Sequence, residues 1–101
     1  MALLTKQISV TNAAQSLTSL LGLSTGRHFY AFHIIGAEGA TGVIYGGMDN
    51  TVTAVPANAG FKATASLGYG SPSLPFQSGN TDHIWMIATV NPTVAHVMLW
   101  E

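Results

Sequence analysis

The segment from Thr81 to Glu101 contains the two apolar runs that most constrain how this chain can fold. Ile84–Val90 is rich in β-branched and aromatic residues, Asn91-Pro92-Thr93 interrupts it, and Val94–Trp100 forms the second run. Two such runs around a short connection containing turn residues are typical of a β-hairpin. We therefore predict that the two runs pair with each other as antiparallel strands.

This predicted hairpin has no polar face. With a three-residue loop and side chains alternating along each strand, one face carries Trp85, Ile87, Val97 and Leu99, and the other carries Ile84, Met86, Met98 and Trp100. Because both faces are apolar, both need to be covered. A second sheet of the same domain can cover one face, and we expect a partner chain to cover the other.

The rest of the chain contains short strand patterns separated by turn residues. Strands are predicted at Leu4–Val10, Arg27–Ile35, Val43–Met48, Thr51–Val55 and Phe61–Leu67, with either a brief edge strand or a loop at Ser73–Phe76. Short strands at this spacing, without βαβ alternation, predict an all-β fold, either a small β-sandwich or a jelly-roll-like domain. We see no linker, so we predict a single β-sandwich domain over residues 1–101.

One segment in the N-terminal half has helical spacing. Leu17, Leu20 and Leu21 would form one apolar stripe on a helix, and Thr11 or Asn12 could cap its N-terminus. We predict one short helix between these caps and Leu21, packed on the sheet because a helix of two turns is marginal alone. An extended loop is the alternative.

Glycines have predicted structural roles at two places. Gly22 follows the helical segment and could end the helix. Gly46 and Gly47 interrupt a strand pattern, which indicates a bulge or a close approach by another backbone.

The charge content limits the kinds of partner. Charged residues make up 7% of the chain, against about 25% in typical globular domains. Such a surface fits a chain packed against other chains, with a neutral secreted surface as the alternative. Lys6, Arg27 and Lys62 are the only fixed cations, and they form no basic patch for nucleic acid. No apolar stretch has the length of a membrane span, so synthesis in the cytoplasm is expected.

Candidate catalytic and metal-binding residues are few. His33, His83 and His96 fall on or beside predicted strands and could meet as a three-histidine metal site, but no His-x-His spacing supports this, and we favour satisfied or interface histidines. Asp82 beside His83 could join a serine in a hydrolytic triad, but the chain has no Gly-x-Ser-x-Gly motif. We therefore predict no enzyme activity, no catalytic residues, no metal and no cofactor.

Aromatic residues allow two interpretations. The side chains of Tyr30, Tyr45, Tyr69, Trp85 and Trp100 could stack on sugars, which would make this a small carbohydrate-binding module. Core or subunit-interface positions are the interpretation we favour. The predicted core or interface residues are Phe29, Tyr30, Phe32, Tyr45, Trp85, Met86, Met98 and Trp100.

Four segments together resemble a family of small tailed-bacteriophage virion proteins. They are Ile8–Leu17 (ISVTNAAQSL), Tyr45-Gly46-Gly47, Asn80–Trp85 (NTDHIW) and the closing strand Val94–Trp100. The resemblance implies a structural protein of the virion, made in the host cytoplasm. It would be a decoration or cement protein bound to the major capsid protein lattice, or another small head or tail component. It also implies a homo-oligomer, with a trimer favoured.

Overall fold

The computed structural model describes residues 3–54, 57–70 and 79–101, and most of them lie in or between short strands. The strands are β1 Leu3–Val10, β2 Gln15–Ser16, β3 His28–Phe29, β4 Ala31–Gly36, β5 Ile44–Gly47, β6 Thr53–Ala54, β7 Ala57–Asn58, β8 Phe61–Ala63, β9 Tyr69–Gly70, β10 Gly79–Asn80, β11 Trp85–Ala88 and β12 Thr93–Trp100. Helix α1 spans Leu17–Leu20, and a 3-10 turn spans Thr81–His83. The predicted all-β fold with one short helix is confirmed.

Eight of these strands form two four-stranded antiparallel sheets. Sheet A has the order β1-β12-β4-β9 and sheet B the order β2-β11-β5-β8. If these eight strands are numbered in chain order, the sheets read 1-8-3-6 and 2-7-4-5, which is the strand order of an eight-stranded jelly roll. The remaining strands form two short ribbons, β3 with β10 and β6 with β7.

The predicted hairpin between the two C-terminal runs is wrong. Both runs are strands, but β11 pairs with β2 and β5 in sheet B, whereas β12 pairs with β1 and β4 in sheet A. The chain around the cis Asn91–Pro92 bond crosses from one sheet to the other. Burial explains this arrangement, because two strands in opposite sheets can each bury an apolar face between the sheets.

The core lies between the two sheets. Every second residue of the long strands faces it, including Phe32 and Ile34 on β4 and Val97 and Leu99 on β12. Sheet B contributes others, such as Met86 on β11, and α1 contributes Leu17. One cluster of buried side chains therefore joins both sheets and the helix.

Helix α1 is a single turn, shorter than predicted, and its cap differs from the prediction. Ser16, rather than Thr11 or Asn12, caps it by accepting a hydrogen bond from the Ser19 N–H at 3.2 Å. The helix begins late because the two residues before Leu17 pair with β11 as β2. Gly22 ends it as predicted, with φ of +73° and the paired backbone hydrogen bonds of a Schellman motif, Gly22 to Ser19 and Leu23 to Thr18.

The predicted strand Leu4–Val10 is present as β1, whereas the other predicted strands that the structure describes are shorter than predicted. The prediction over Arg27–Ile35 becomes two strands, because β3 leaves sheet A to pair with β10. The prediction over Phe61–Leu67 ends early, because Thr64 and Leu67 close a turn through backbone hydrogen bonds. The prediction at Thr51–Val55 is described only as far as β6, and Ser73–Phe76 lies outside the described residues.

At Gly46 the predicted bulge is absent and the close approach comes from a side chain instead of another backbone. A Cβ atom at this position would overlap the aromatic ring of Phe61 rather than another backbone. The ring of Phe61 in turn stacks on Tyr69, with centroids 4.3 Å apart. A glycine at position 46 therefore makes room for an aromatic pair at the edge of the core.

Candidate interaction surface

The side of sheet A that points away from the core carries an unusual set of side chains. Along β12, Thr93, Ala95, Val97 and Leu99 are buried, while Val94, Met98 and Trp100 are half-buried and His96 is exposed. We call the following set the outer face of sheet A: Thr5, Gln7 and Ser9 of β1; Val94, His96, Met98 and Trp100 of β12; Ala31, His33 and Ile35 of β4.

The strand register arranges the outer face of sheet A in rows. Met98 lies between Thr5 and His33, and the next row places His96 between Gln7 and Ile35. The β12 and β4 side of the face is therefore mainly apolar, and the β1 side is polar but uncharged. No residue in the set is Asp, Glu, Lys or Arg, which is typical of the centre of a protein–protein interface.

The nearest ion pair lies beyond one end of this face. The Arg27 Nε atom is 3.3 Å from the Glu101 Oε2 atom, and both side chains are partly exposed. Glu101 directly follows Trp100, so the pair adjoins the rim rather than the centre. An exposed pair of this kind contributes little to stability.

The outer side of sheet B differs because the chain covers part of it. Val52 is 4% exposed although it lies outside the main core cluster. A Cβ added at Gly47 would lie 3.7 Å from the Val52 Cβ atom, which places Val52 over β5. The described side chains on the outer face of sheet A are half-buried or exposed, as are Tyr45, Trp85 and Ile87 on sheet B, but no segment comparable to Val52 is described over sheet A.

The predicted core or interface residues divide into three groups. Phe29, Phe32 and Met86 are fully buried in the core. Met98 and Trp100 lie half-buried on the outer face of sheet A, and Tyr45 and Trp85 are half-buried on the outer side of sheet B. Tyr30 is 60% exposed at the bend between β3 and β4, where its ring meets the edge of the His28 ring.

The five aromatic residues considered for sugar stacking do not share one face. Tyr69 packs against Phe61 and the core, while Trp85 and Trp100 belong to opposite sheets. The Trp85 indole N–H donates to the Asp82 carbonyl at 3.1 Å. The structure therefore does not bring all five rings together as a single platform.

The histidines do not converge on a metal site. Within residues 3–54, 57–70 and 79–101, no group of three or more His, Cys, Asp or Glu side chains is placed to hold a metal ion. The His33 ring points toward the β9 side, since a Cβ at Gly68 would lie 2.6 Å from its Nε2 atom. His96 is on the neighbouring strand β12, on the opposite side of β4 from β9.

Asp82 belongs to a hydrogen-bond network that sequence reasoning missed. The Thr18 hydroxyl donates to Asp82 Oδ1 at 2.6 Å. A second hydrogen bond of 2.7 Å joins the hydroxyls of Thr18 and Thr81. The Thr81 hydroxyl also accepts from the Arg27 N–H at 2.9 Å. Thr81 is fully buried. The network connects α1, the 3-10 turn and the segment before β3, so its role is structural. Asn80 could have predicted the 3-10 turn, because Asn is a preferred N-cap residue and its side chain accepts a hydrogen bond from the Asp82 N–H.

Their surroundings shift the pKa values of Asp49 and Tyr69. Hydrogen bonds from the Thr51 hydroxyl and N–H lower the pKa of Asp49. Burial raises the pKa of Tyr69.

Two clefts are lined mainly by uncharged residues. One of about 320 Å³ lies between the 37–42 loop and the residues around Pro92, and Glu38 is the one ionisable residue in its lining. Its lining contains no aromatic residue on which a sugar could stack.

Comparison with known proteins assigns no family. No family model matches the chain, and no curated protein or solved structure shows significant similarity to it. Across the described part of the chain, we find no helix with the length and apolar character needed to span a membrane.

Proposed function

We propose that this chain is a non-enzymatic virion structural protein, a capsid decoration protein that binds the major capsid protein lattice through the outer face of sheet A. The observation that carries the proposal is the composition of that face. It has large apolar side chains at its centre and no fixed charge, and none of its described side chains is fully buried.

The energetics of such a contact follow from the side chains on the face. Covering Met98, Trp100 and Ile35 with a partner removes apolar surface from water, which stabilises the contact by about 25 cal/mol per Å². Because the face has no Asp, Glu, Lys or Arg, binding leaves no fixed charge unpaired. If the contact spans a seam between coat subunits, it raises the free energy needed to separate them.

The virion assignment has support of two kinds. The sequence segments described above resemble small phage virion proteins, and jelly rolls are used by viral capsid domains. Lectins also use this fold, and a fold alone does not determine function. Sugar binding by a monomer is the alternative, and the distribution of the aromatic rings over separate faces gives it no particular support.

Binding to capsid shells tests the proposal. Empty shells of the coat protein encoded in the same genome are mixed with the purified chain and sedimented. We expect saturable co-sedimentation and a higher temperature of shell disruption. Failure of the wild-type chain to bind, together with saturable sugar binding by a monomer, would contradict the proposal and favour the alternative.

A matched pair of variants tests the surface. Met98→Lys places a charge at the centre of the outer face of sheet A, and we expect at least a tenfold loss of shell binding. Met48→Lys makes the same substitution at a residue that is 64% exposed and outside this face. It should bind as the wild type does. Equal binding by both variants would rule out this face as the contact.

A further inference from the structure

Strand β1 gives sheet A one long edge with which no described strand pairs. β1 is the first strand in the order of the sheet, and all eight of its residues pair in unbroken register with β12 on one side. In an antiparallel strand, every second residue directs its backbone N–H and C=O away from the paired neighbour. Along β1 these groups therefore point to the open side, where another strand could bind them.

Within the described residues, the other edges of the two sheets are much shorter. The edge strand β9 of sheet A and the edge strand β2 of sheet B have two residues each, and β8 has three. Short edge strands protect natural sheets against pairing with other chains. β1 has neither this protection nor a proline or bulge. Its one charged residue, Lys6, is directed back into its own chain, where its Nζ atom donates to the Leu21 carbonyl at 2.5 Å.

The sequence of β1 can pair with a second copy of itself in an antiparallel register centred on Gln7. A two-fold axis through Gln7 places Gln7 opposite its own copy and Thr5 opposite Ser9, so amide and hydroxyl side chains meet on the outer face. On the core side, Leu4 lies opposite Val10 as an apolar pair, and Lys6 lies opposite Ile8 with no like charge across from it. Polar pairs and apolar pairs of this kind stabilise adjacent strands. An axis through Lys6 would instead place two like charges opposite each other.

We propose that two copies of this chain pair through β1 in the Gln7-centred register, which joins their sheets A into one continuous eight-stranded sheet. The contact is strand addition, in which backbone hydrogen bonds provide affinity and the side-chain register provides specificity. It uses the backbone edge of β1, which borders the outer face proposed to bind the coat lattice, and it extends that outer face across both copies. It predicts a dimer, not the trimer implied by the resemblance to phage proteins.

Single-cysteine variants test both the contact and its register, because the chain has no cysteine of its own. Opposed residues in adjacent strands have Cα atoms about 4.5–5.5 Å apart, within the range of about 4.4–6.8 Å that a disulfide needs. Gln7→Cys should therefore form a disulfide-linked dimer under mild oxidation. The matched control is Thr5→Cys, whose copies would lie about 13 Å apart, since four residues separate positions 5 and 9 at about 3.3 Å each.

The expected pattern has three parts. Gln7→Cys should cross-link at least tenfold faster than Thr5→Cys, a mixture of Thr5→Cys and Ser9→Cys should give the mixed dimer, and light scattering of the wild type should give a dimer mass at high concentration. All three positions are exposed, so the variants should fold.

Equal, slow cross-linking of the Gln7 and Thr5 variants, or a wild type that stays monomeric or trimeric, would overturn the pairing. A monomer that still binds shells would overturn only this inference, and a dimer that fails to bind them would overturn only the proposed function.

Discussion

Gly46 and Gly47 are adjacent in β5, but their surroundings differ sharply. Gly46 faces the core against the Phe61 ring, whereas Gly47 faces outward with Val52 at ordinary contact distance. Gly46→Ala should therefore lower the free energy of unfolding by about 1–3 kcal/mol through overpacking. Gly47→Ala should change it by less than about 0.5 kcal/mol. Urea unfolding of both variants measures the difference, and equal values would show that Phe61 does not occupy the space beside Gly46.

The hydroxyl of Thr81 makes two buried hydrogen bonds. Thr18 gives its proton to Asp82, so Thr81 donates to Thr18 while it accepts from the Arg27 N–H. Thr81→Val keeps the shape but leaves the Arg27 N–H without its acceptor and removes the hydrogen bond to Thr18, which still donates to Asp82. This should lower the free energy of unfolding by about 1–3 kcal/mol. The exposed Thr41→Val is the control and should leave it unchanged. A stable Thr81→Val variant would exclude a structural role for the network.

Tyr69 should make stability depend on alkaline pH. Burial raises its pKa in the folded chain above the ordinary value of 10.0, so the folded state favours the neutral phenol. This stabilising contribution is complete below pH 10 and is lost as the pH rises through the folded-state pKa. Tyr69→Phe should therefore reduce the fall in unfolding free energy above pH 10, measured by urea titration at several pH values. Tyr30→Phe, at an exposed ring, should leave that fall as it is in the wild type.

Alternate side chains of strand β12 have different roles, since one set packs in the core and the other lies on the outer face of sheet A. Leu99 is fully buried and Trp100 is half-buried on the outer face. Leu99→Ala should lower the free energy of unfolding by about 2–5 kcal/mol. Trp100→Ala should lower the free energy of unfolding by less than Leu99→Ala does. The loss of shell binding by Trp100→Ala should nevertheless be larger than its loss of stability can account for. Thermal unfolding and shell sedimentation of the two variants give both quantities. A larger stability loss at position 100 than at position 99 would mean that the faces are assigned the wrong way round.

The strands could be predicted from sequence because their period is local. The alternation in Leu4–Val10 and the β-branched runs near the C-terminus are properties of adjacent residues, and both appear as β1, β11 and β12. The partner of each strand is not local. Ile84–Val90 and Val94–Trp100 satisfy a hairpin pattern, yet burial between two sheets placed them opposite each other. The cap at Ser16 was missed for the same reason, since pairing with β11 decides where the helix begins.

At the scale of the molecule, low charge predicted surfaces that other chains cover, and the jelly roll determines where such surfaces lie. The prediction that a partner covers one apolar face could not name the face, because it assumed a hairpin. The strand order assigns Trp85 to sheet B and Met98 and Trp100 to sheet A. Val52 then covers part of the outer side of sheet B, and the outer face of sheet A becomes the candidate contact. That a partner covers it stays a prediction.

Oxidation of the methionines of this chain, followed by mass spectrometry, measures the contact directly. In the free protein, Met48 should oxidise fastest, Met98 more slowly and the fully buried Met86 slowest. On coat shells, we predict at least a fivefold slower oxidation of Met98, with the rate at Met48 unchanged. If Met98 oxidises at the same rate in the bound and free protein, or if Met48 alone is protected, the outer face of sheet A does not bind the lattice.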